Sequence, residues 1–309
     1  MQDSFDAVYG CLLGHLFGDA LGSTFEGLPP DYLRENFRSP TNAFHHAVAR
    51  DSLRYTDDGQ MMLALADFLC KRETVDHTEL MRAFVEVYEP WRGYGRGARV
   101  LIEAFRDASE YEFMAEHLFP GGSLGNGGAM RSAPIGLKFV GDLERIRIEA
   151  KQSAWPTHRH ELGIEGAQLI ALATSLAQTE SDISPDRMSK LLLPHCETVV
   201  FQNRIERLAE IQSVEDLDQF GNGIEAHESA VTAIACSALF SDDYRAAIQS
   251  AFWLGGDTDT IGAMVGSIVG ARVGPSLADE LPKDKLESGM EFIENVEALA
   301  RRLVDSMER

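Results

Sequence analysis

Glycines 10, 14, 18 and 22 stand four apart in the apolar run from Ala7 to Leu21, and Gly262, Gly266 and Gly270 repeat the spacing within the run Ile261 to Val273. Residues four apart share one face of an α-helix. Each glycine inside a helix costs about 1 kcal/mol relative to alanine. Two such stripes therefore predict two helices whose bare faces pack closely, as small-xxx-small faces do. Glycines in loops fit poorly, because the residues between them are apolar. Helical periodicity recurs over Gln60 to Cys70, Glu79 to Tyr88, Ala98 to Phe105, Gly163 to Ala177, Val199 to Ile211, Ser229 to Phe240, Tyr244 to Leu254 and Leu286 to Met307. No segment alternates with period two between hairpin turns. The expectation is an all-α fold with long functional loops. Without repeats, low-complexity tracts or Pro/Ser-rich linkers, residues 1–309 read as a single domain.

The chain carries 49 acidic against 28 basic residues, a net charge of −21. That excess argues against a broad nucleic-acid or anionic-membrane surface. An anionic ligand would need locally placed cations or backbone N–H groups. Cys11, Cys70, Cys196 and Cys236 are scattered with no CxxC pairing and read as reduced core residues of a cytoplasmic protein. The stretch Met1 to Asp6 is acidic and lacks a signal-peptide pattern. No apolar run approaches the ~20 residues that span a bilayer.

Two acidic clusters lie far apart in the chain. Tyr55-Thr56-Asp57-Asp58 precedes the helical pattern at Gln60, and Asp257-Thr258-Asp259-Thr260 follows Gly255-Gly256 and leads into the second glycine stripe. Carboxylates and threonine hydroxyls are hard oxygen ligands suited to Mg²⁺, Ca²⁺ or Mn²⁺. Crowded carboxylates resist joint ionisation unless a cation balances them, and two clusters with two carboxylates each suit a two-metal site. Simple helix N-capping is the alternative, but a cap needs one such residue and each cluster holds at least three. The loop Phe119 to Gly128, Phe-Pro-Gly-Gly-Ser-Leu-Gly-Asn-Gly-Gly, and the shorter Gly221-Asn222-Gly223 read as phosphate cradles or as tight turns. Neither fits a dinucleotide-binding fingerprint. Glu26 and His158 would each pass for an ordinary surface or structural residue if taken alone.

Together these blocks resemble the ADP-ribosylglycohydrolases. The resemblance runs from about Tyr9 to Gly274. It is carried by Gly10-Cys11-Leu12-Leu13-Gly14 through Gly18-Asp19-Ala20-Leu21-Gly22, then Tyr55-Thr56-Asp57-Asp58, Gly125-Asn126-Gly127-Gly128-Ala129-Met130-Arg131, Thr157-His158, and Gly255-Gly256-Asp257-Thr258-Asp259-Thr260-Ile261-Gly262. It implies a compact multi-helix orthogonal bundle and a magnesium-dependent hydrolase that releases ADP-ribose. Gly93-Tyr94-Gly95, Gly122 to Arg131, Gly221 to Ile224 and Glu228 to Ile234 are most similar to the third type of the family. That type acts on serine-linked ADP-ribose, poly-ADP-ribose and O-acetyl-ADP-ribose.

By resemblance, Thr56, Asp57, Asp58, Asp257, Asp259 and Thr260 would ligate two Mg²⁺ ions, with Mn²⁺ a possible substitute. Glu26 would match a mobile glutamate of metal coordination and catalysis, with Asp58 or Asp257 as the alternative base. Gly122, Ser123, Leu124, Gly125 and Asn126 would line the diphosphate loop. His158 would contact the phosphate or ribose region, and Gly221, Gly223 and Ile224 would lie near the adenine. Two departures stand out: Gly59 follows the aspartate pair where the family usually has threonine, and Leu124 replaces an aromatic residue that stacks on adenine, a role left to Phe119 or Phe220. The implied substrate is an ADP-ribosylated protein or O-acetyl-ADP-ribose, and the implied state a monomer with no membrane partner. An ADP-ribose-binding protein without turnover, an arginine-specific hydrolase and a magnesium hydrolase of nucleotides are the rival readings.

Overall fold

The computed structural model describes residues 4–108, 110–279 and 281–307. Met1, Gln2 and Asp3 of the acidic N-terminal stretch lie outside the described residues. The described residues form no strand, only isolated bridges between Leu53 and Leu286 and between Gly125 and Glu225. In chain order the helices are α1 (Ser4–Gly22), α2 (Pro30–Phe37), α3 (Pro40–Val48), α4 (Asp57–Leu69), α5 (His77–Val87) and α6 (Arg96–Arg106). There follow α7 (Tyr111–His117), α8 (Ala133–Lys138), α9 (Leu143–Ala154), α10 (Glu161–Thr179) and α11 (Pro185–Leu192). The last five are α12 (Val199–Glu206), α13 (Ala226–Leu239), α14 (Tyr244–Trp253), α15 (Thr258–Val273) and α16 (Met290–Met307).

The two glycine-striped helices form the centre, as their spacing requires. Every residue of α1 from Gly10 to Gly22 is buried, and so is every residue of α15 from Thr258 to Ala271. A helix apolar all round belongs inside a bundle. The pair is antiparallel and in register. A Cβ at Gly14 would stand 2.1 Å from the Gly266 carbonyl oxygen, and one at Gly18 would stand 2.1 Å from that of Gly262. Real atoms do not approach so closely, so the glycines are a condition of the backbone contact. α10, α13 and α14 pack around α15, while α8 and α16 cover α1.

Several boundaries differ from the periodicity reading, each for a local reason. α4 begins at Asp57, three residues before Gln60, because the Thr56 hydroxyl accepts from Asp58 N at 3.3 Å and caps the first turn. α15 begins at Thr258, ahead of Ile261, so Asp259 lies inside the helix. Val199 to Ile211 divides into α12 and a 3₁₀ turn over Arg207–Glu210. The last helix starts at Met290, not Leu286. Gly289 has φ +71° and Leu286 is engaged in the bridge to Leu53. Helices α2, α3 and α11 are short and start on proline, whose fixed φ suits the first helical position but gives no periodic signal.

Candidate active site

The antiparallel register brings the C-terminal end of α1 beside the N-terminus of α15. The N-terminus of α4 meets both. Asp19, in the last turn of α1, is fully buried and makes the junction. Its carboxylate accepts from Thr56 N at 2.9 and 3.0 Å and from Gly59 N at 2.9 Å. The two acidic clusters, some 200 residues apart in sequence, thereby reach one cavity of about 370 Å³. Glu26, Asp57, Asp58, Asp257, Asp259 and Thr260 line it on one side, with Ser123, Gly125, Asn126, His158 and Ile224 also on its wall. Glu26 stands in the turn after α1, which ends at Gly22.

The electrostatics of this end are severe. Burial first, then the neighbouring carboxylate of Asp259, pushes Asp19 well above the usual carboxylate range. Asp58 is raised in the same way, by burial and then by Asp19, Asp57 and Asp257. Asp259 is raised by burial and then by Asp58, Asp257 and Glu26. Asp57 is pushed up to about 7, burial again leading. Burial raises Asp257, and burial followed by Asp257 raises Glu26. Asp58 Oδ1 is buried and has no hydrogen-bond partner among the described residues. An orphaned carboxylate oxygen amid mutually repelling carboxylates fits a divalent cation. Among the described residues, the group of metal-type side chains whose ligand atoms all fall within 4.8 Å of one another is Glu225, His227 and Glu228, and not the cavity carboxylates. In that group Glu228 Oε2 already accepts from Gly223 N at 3.1 Å.

The glycine loop is tied to the acidic end. Asn126 Nδ2 donates to Asp257 Oδ2 at 2.5 Å and to Ser229 Oγ at 3.0 Å. The loop is held from behind by Arg131, which is fully buried. Its guanidinium donates to Gly127 O, to Ser153 O at 2.8 Å and to Thr157 Oγ1 at 2.9 Å. Thr157 Oγ1 lies 2.7 Å from His158 Nδ1. The hydroxyl oxygen accepts from Arg131 and can give its own proton to Nδ1, the tautomer in which Nε2, facing Gly125 and Gly127, carries the ring proton. Burial, reinforced by Arg131, lowers His158 to about 3, so the ring is neutral at physiological pH.

Other expected residues lie behind the cavity. Leu124 and Gly122 do not line it. Leu124 O accepts from Ala226 N at 3.0 Å, and Gly122 (φ +91°) passes so close to His160 N that a Cβ would stand 2.4 Å away. Gly221 and Gly223 wrap the Glu228 carboxylate, and Asn222 between them accepts from Asp257 N at 2.8 Å. Thr56 stands behind Asp58, to whose Oδ2 its hydroxyl donates at 3.0 Å. Phe220 is fully buried and cannot stack on a ligand, whereas Phe119, 39% exposed, lines the cavity. Asp19 was missed by sequence reasoning; its signal was a carboxylate within the run Ala7 to Leu21, where His15 is the only other ionisable side chain besides Tyr9 and Cys11. Arg131 was visible only as part of a block.

The chain is similar to known proteins over nearly its whole length. The family model described as ADP-ribosylglycohydrolase matches residues 1–309. "ADP-ribosylhydrolase ARH3" of Homo sapiens is 33% identical over 95% of this chain and 92% of its own length. The protein of that name from Danio rerio is 31% identical over 96% and 89%. A solved structure titled "ADP-ribosylglycohydrolase-related protein complex" superposes with a TM-score of 0.73 at 24% identity, covering 99% of this chain and 100% of the other, and shares the fold.

Proposed function

Because the chain belongs to the ADP-ribosylglycohydrolase family, we propose that it hydrolyses the bond between the anomeric carbon of ADP-ribose and an acceptor oxygen, with serine-linked ADP-ribose and O-acetyl-ADP-ribose as the favoured substrates. The observation that carries this reading is one cavity lined both by five carboxylates and by the glycine loop with neutral His158. The relatives named for ADP-ribosylhydrolase activity cover nearly the whole chain and support the substrate class.

Asp57, Asp58, Asp257, Asp259 and Thr260, with Thr56 behind them, would hold divalent cations, Mg²⁺ by preference and two in number. A bound cation of this kind supplies Lewis-acid polarisation of sugar oxygens. The residues do the rest. Asn126 fixes Asp257 against the loop that receives the diphosphate. His158 donates from Nε2 to a phosphate oxygen. Phe119 offers a face to the adenine. Glu26, its carboxyl raised by burial and by Asp257, can release a proton to the leaving oxygen or take one from the attacking water. Cleavage of such a bond passes through an oxocarbenium-like state, which neighbouring carboxylates stabilise.

We place the protein in the cytoplasm as a single-domain monomer. Four cysteines without a disulfide support a reducing compartment. No helix among the described residues is long and apolar enough to cross a membrane. The deciding experiment is a hydrolysis panel of serine-, arginine- and ester-linked ADP-ribose with magnesium and with EDTA, run on the wild type and Asp257→Ala. Magnesium-dependent release that the variant loses is expected. Undiminished turnover by the variant in EDTA would sink the metal assignment. Binding of ADP-ribose without turnover on any linkage would favour a binding protein.

A further inference from the structure

The cavity holds carboxylates at one end, yet ADP-ribose brings two more negative charges in its diphosphate. Among the described residues, two guanidinium groups line its wall. Arg131 is committed from behind to Gly127 O, Ser153 O and Thr157. The other is Arg96, exposed, at the first position of α6. It makes no hydrogen bond or ion pair with another described residue, although five carboxylates share the cavity.

Its position follows from the segment that carries it. Tyr94 is buried, and its hydroxyl donates to Gln60 Oε1 at 2.7 Å, which pins residues 93–97 to α4. At one end of the segment, a Cβ at Gly93 would stand 3.7 Å from Asp57 Oδ1. At the other, Gly97 lies against the Phe119 ring, where a Cβ would meet Cε2 at 2.6 Å. The segment thus runs from the carboxylates that would hold the ribose to the ring that would face the adenine, and Arg96 falls between them. Gly97 and Ala98, whose first-turn N–H groups have no intrahelical partner, line the same wall.

We propose that Arg96 is the diphosphate clamp of this site, its guanidinium closing on the phosphate oxygens of ADP-ribose from the α6 wall while the loop at residues 123–126 contacts them from its own side. The proposal rests on the reading of this cavity as an ADP-ribose site. It assigns a specificity role: Arg96 selects ligands that carry a diphosphate between adenine and ribose. A guanidinium suits this task because its planar fork takes two phosphate oxygens at once. Its charge also offsets the repulsion that the cavity carboxylates exert over the ~8–10 Å screening length of physiological salt.

The test is a calorimetric titration of wild type, Arg96→Ala and Arg96→Lys with ADP-ribose and, separately, with adenosine, in magnesium at about 0.05 M and about 0.2 M salt. Arg96→Ala is expected to weaken ADP-ribose about tenfold at low salt and less at high salt, with Arg96→Lys in between. Adenosine, which has no diphosphate, should bind all three alike, and in turnover the loss should fall chiefly on KM. Equal ADP-ribose affinity in wild type and Arg96→Ala overturns the clamp, as does an equal loss for adenosine. A wild type that binds no ADP-ribose at all instead overturns the functional reading of the cavity, and the clamp with it.

Discussion

Gly59 N donates to Asp19 Oδ2 at 2.9 Å, and a Cβ on that glycine would stand 2.8 Å from the Tyr55 Cβ and 3.0 Å from the same carboxylate oxygen. The absence of a threonine after the aspartate pair is therefore a packing requirement of this chain. Gly59→Thr is expected to destabilise by about 1–3 kcal/mol through overpacking without adding activity. Asp19→Ala, which strands two buried N–H groups, is expected to cost about 2–4 kcal/mol. Urea denaturation midpoints check both. A Gly59→Thr protein as stable as wild type would show that Tyr55 can move aside.

The raised carboxyls make a prediction about pH. A carboxyl whose folded pKa exceeds its unfolded value stabilises the fold at low pH, and that stability is lost as pH rises through the folded pKa. Asp19, Asp58 and Asp259 are all raised, and Asp57 lies at about 7. In chelator, the melting temperature should fall between pH 5 and pH 8. Added magnesium should raise it more at pH 8 than at pH 5, because only ionised carboxylates compete well for the cation. A flat profile in EDTA would contradict the crowding.

Among the described residues, Asn126 is the glycine-loop side chain hydrogen-bonded to the acidic end. Asn126→Ala removes a donor to a carboxylate, an interaction of about 1.5–3 kcal/mol. The expected loss in kcat/KM on a serine-linked ADP-ribose peptide is about ten- to a hundredfold, with a melting temperature lowered by several degrees and the fold retained. Loss of fold in place of loss of rate would reassign Asn126 to structure.

The Arg131–Thr157–His158 chain is testable by tautomer. Long-range ¹H–¹⁵N spectra of the ligand-free protein should show His158 protonated on Nε2 and uncharged down to pH 5. Thr157→Val should mix the two tautomers, and Thr157→Ser should not. His158 protonated on Nδ1 in wild type would reverse the direction of the Thr157 hydrogen bond.

Much of this was legible in residue order. The fourfold glycine spacing predicted the α1–α15 pair, and the two Asp/Thr clusters marked the metal-suited end, because spacing and residue type carry those features directly. Asp19 was not legible as a participant, since its partners are backbone N–H groups 37 and 40 residues away. Gly221 and Gly223 look like a ligand loop in sequence, yet their backbones enclose Glu228. Phe220 looks available for stacking until its burial is known. Arg96 reads as a solvated arginine in a glycine-rich turn. What failed to show were contacts decided by which elements meet, a property of tertiary packing and not of local pattern.

The α1–α15 contact has one further consequence. Each glycine faces a particular partner carbonyl, so neither helix can slide along the other without driving backbone into backbone. The carboxylates on α1 and α15 therefore cannot drift apart to relieve their repulsion. Asp19 ties the start of α4, and with it Asp57 and Asp58, to that same register, so the spacing offered to an incoming ion is set by the helix pair, as the gauge of a track is set by its sleepers. Ions of the wrong radius would be refused by the frame and not by the ligands.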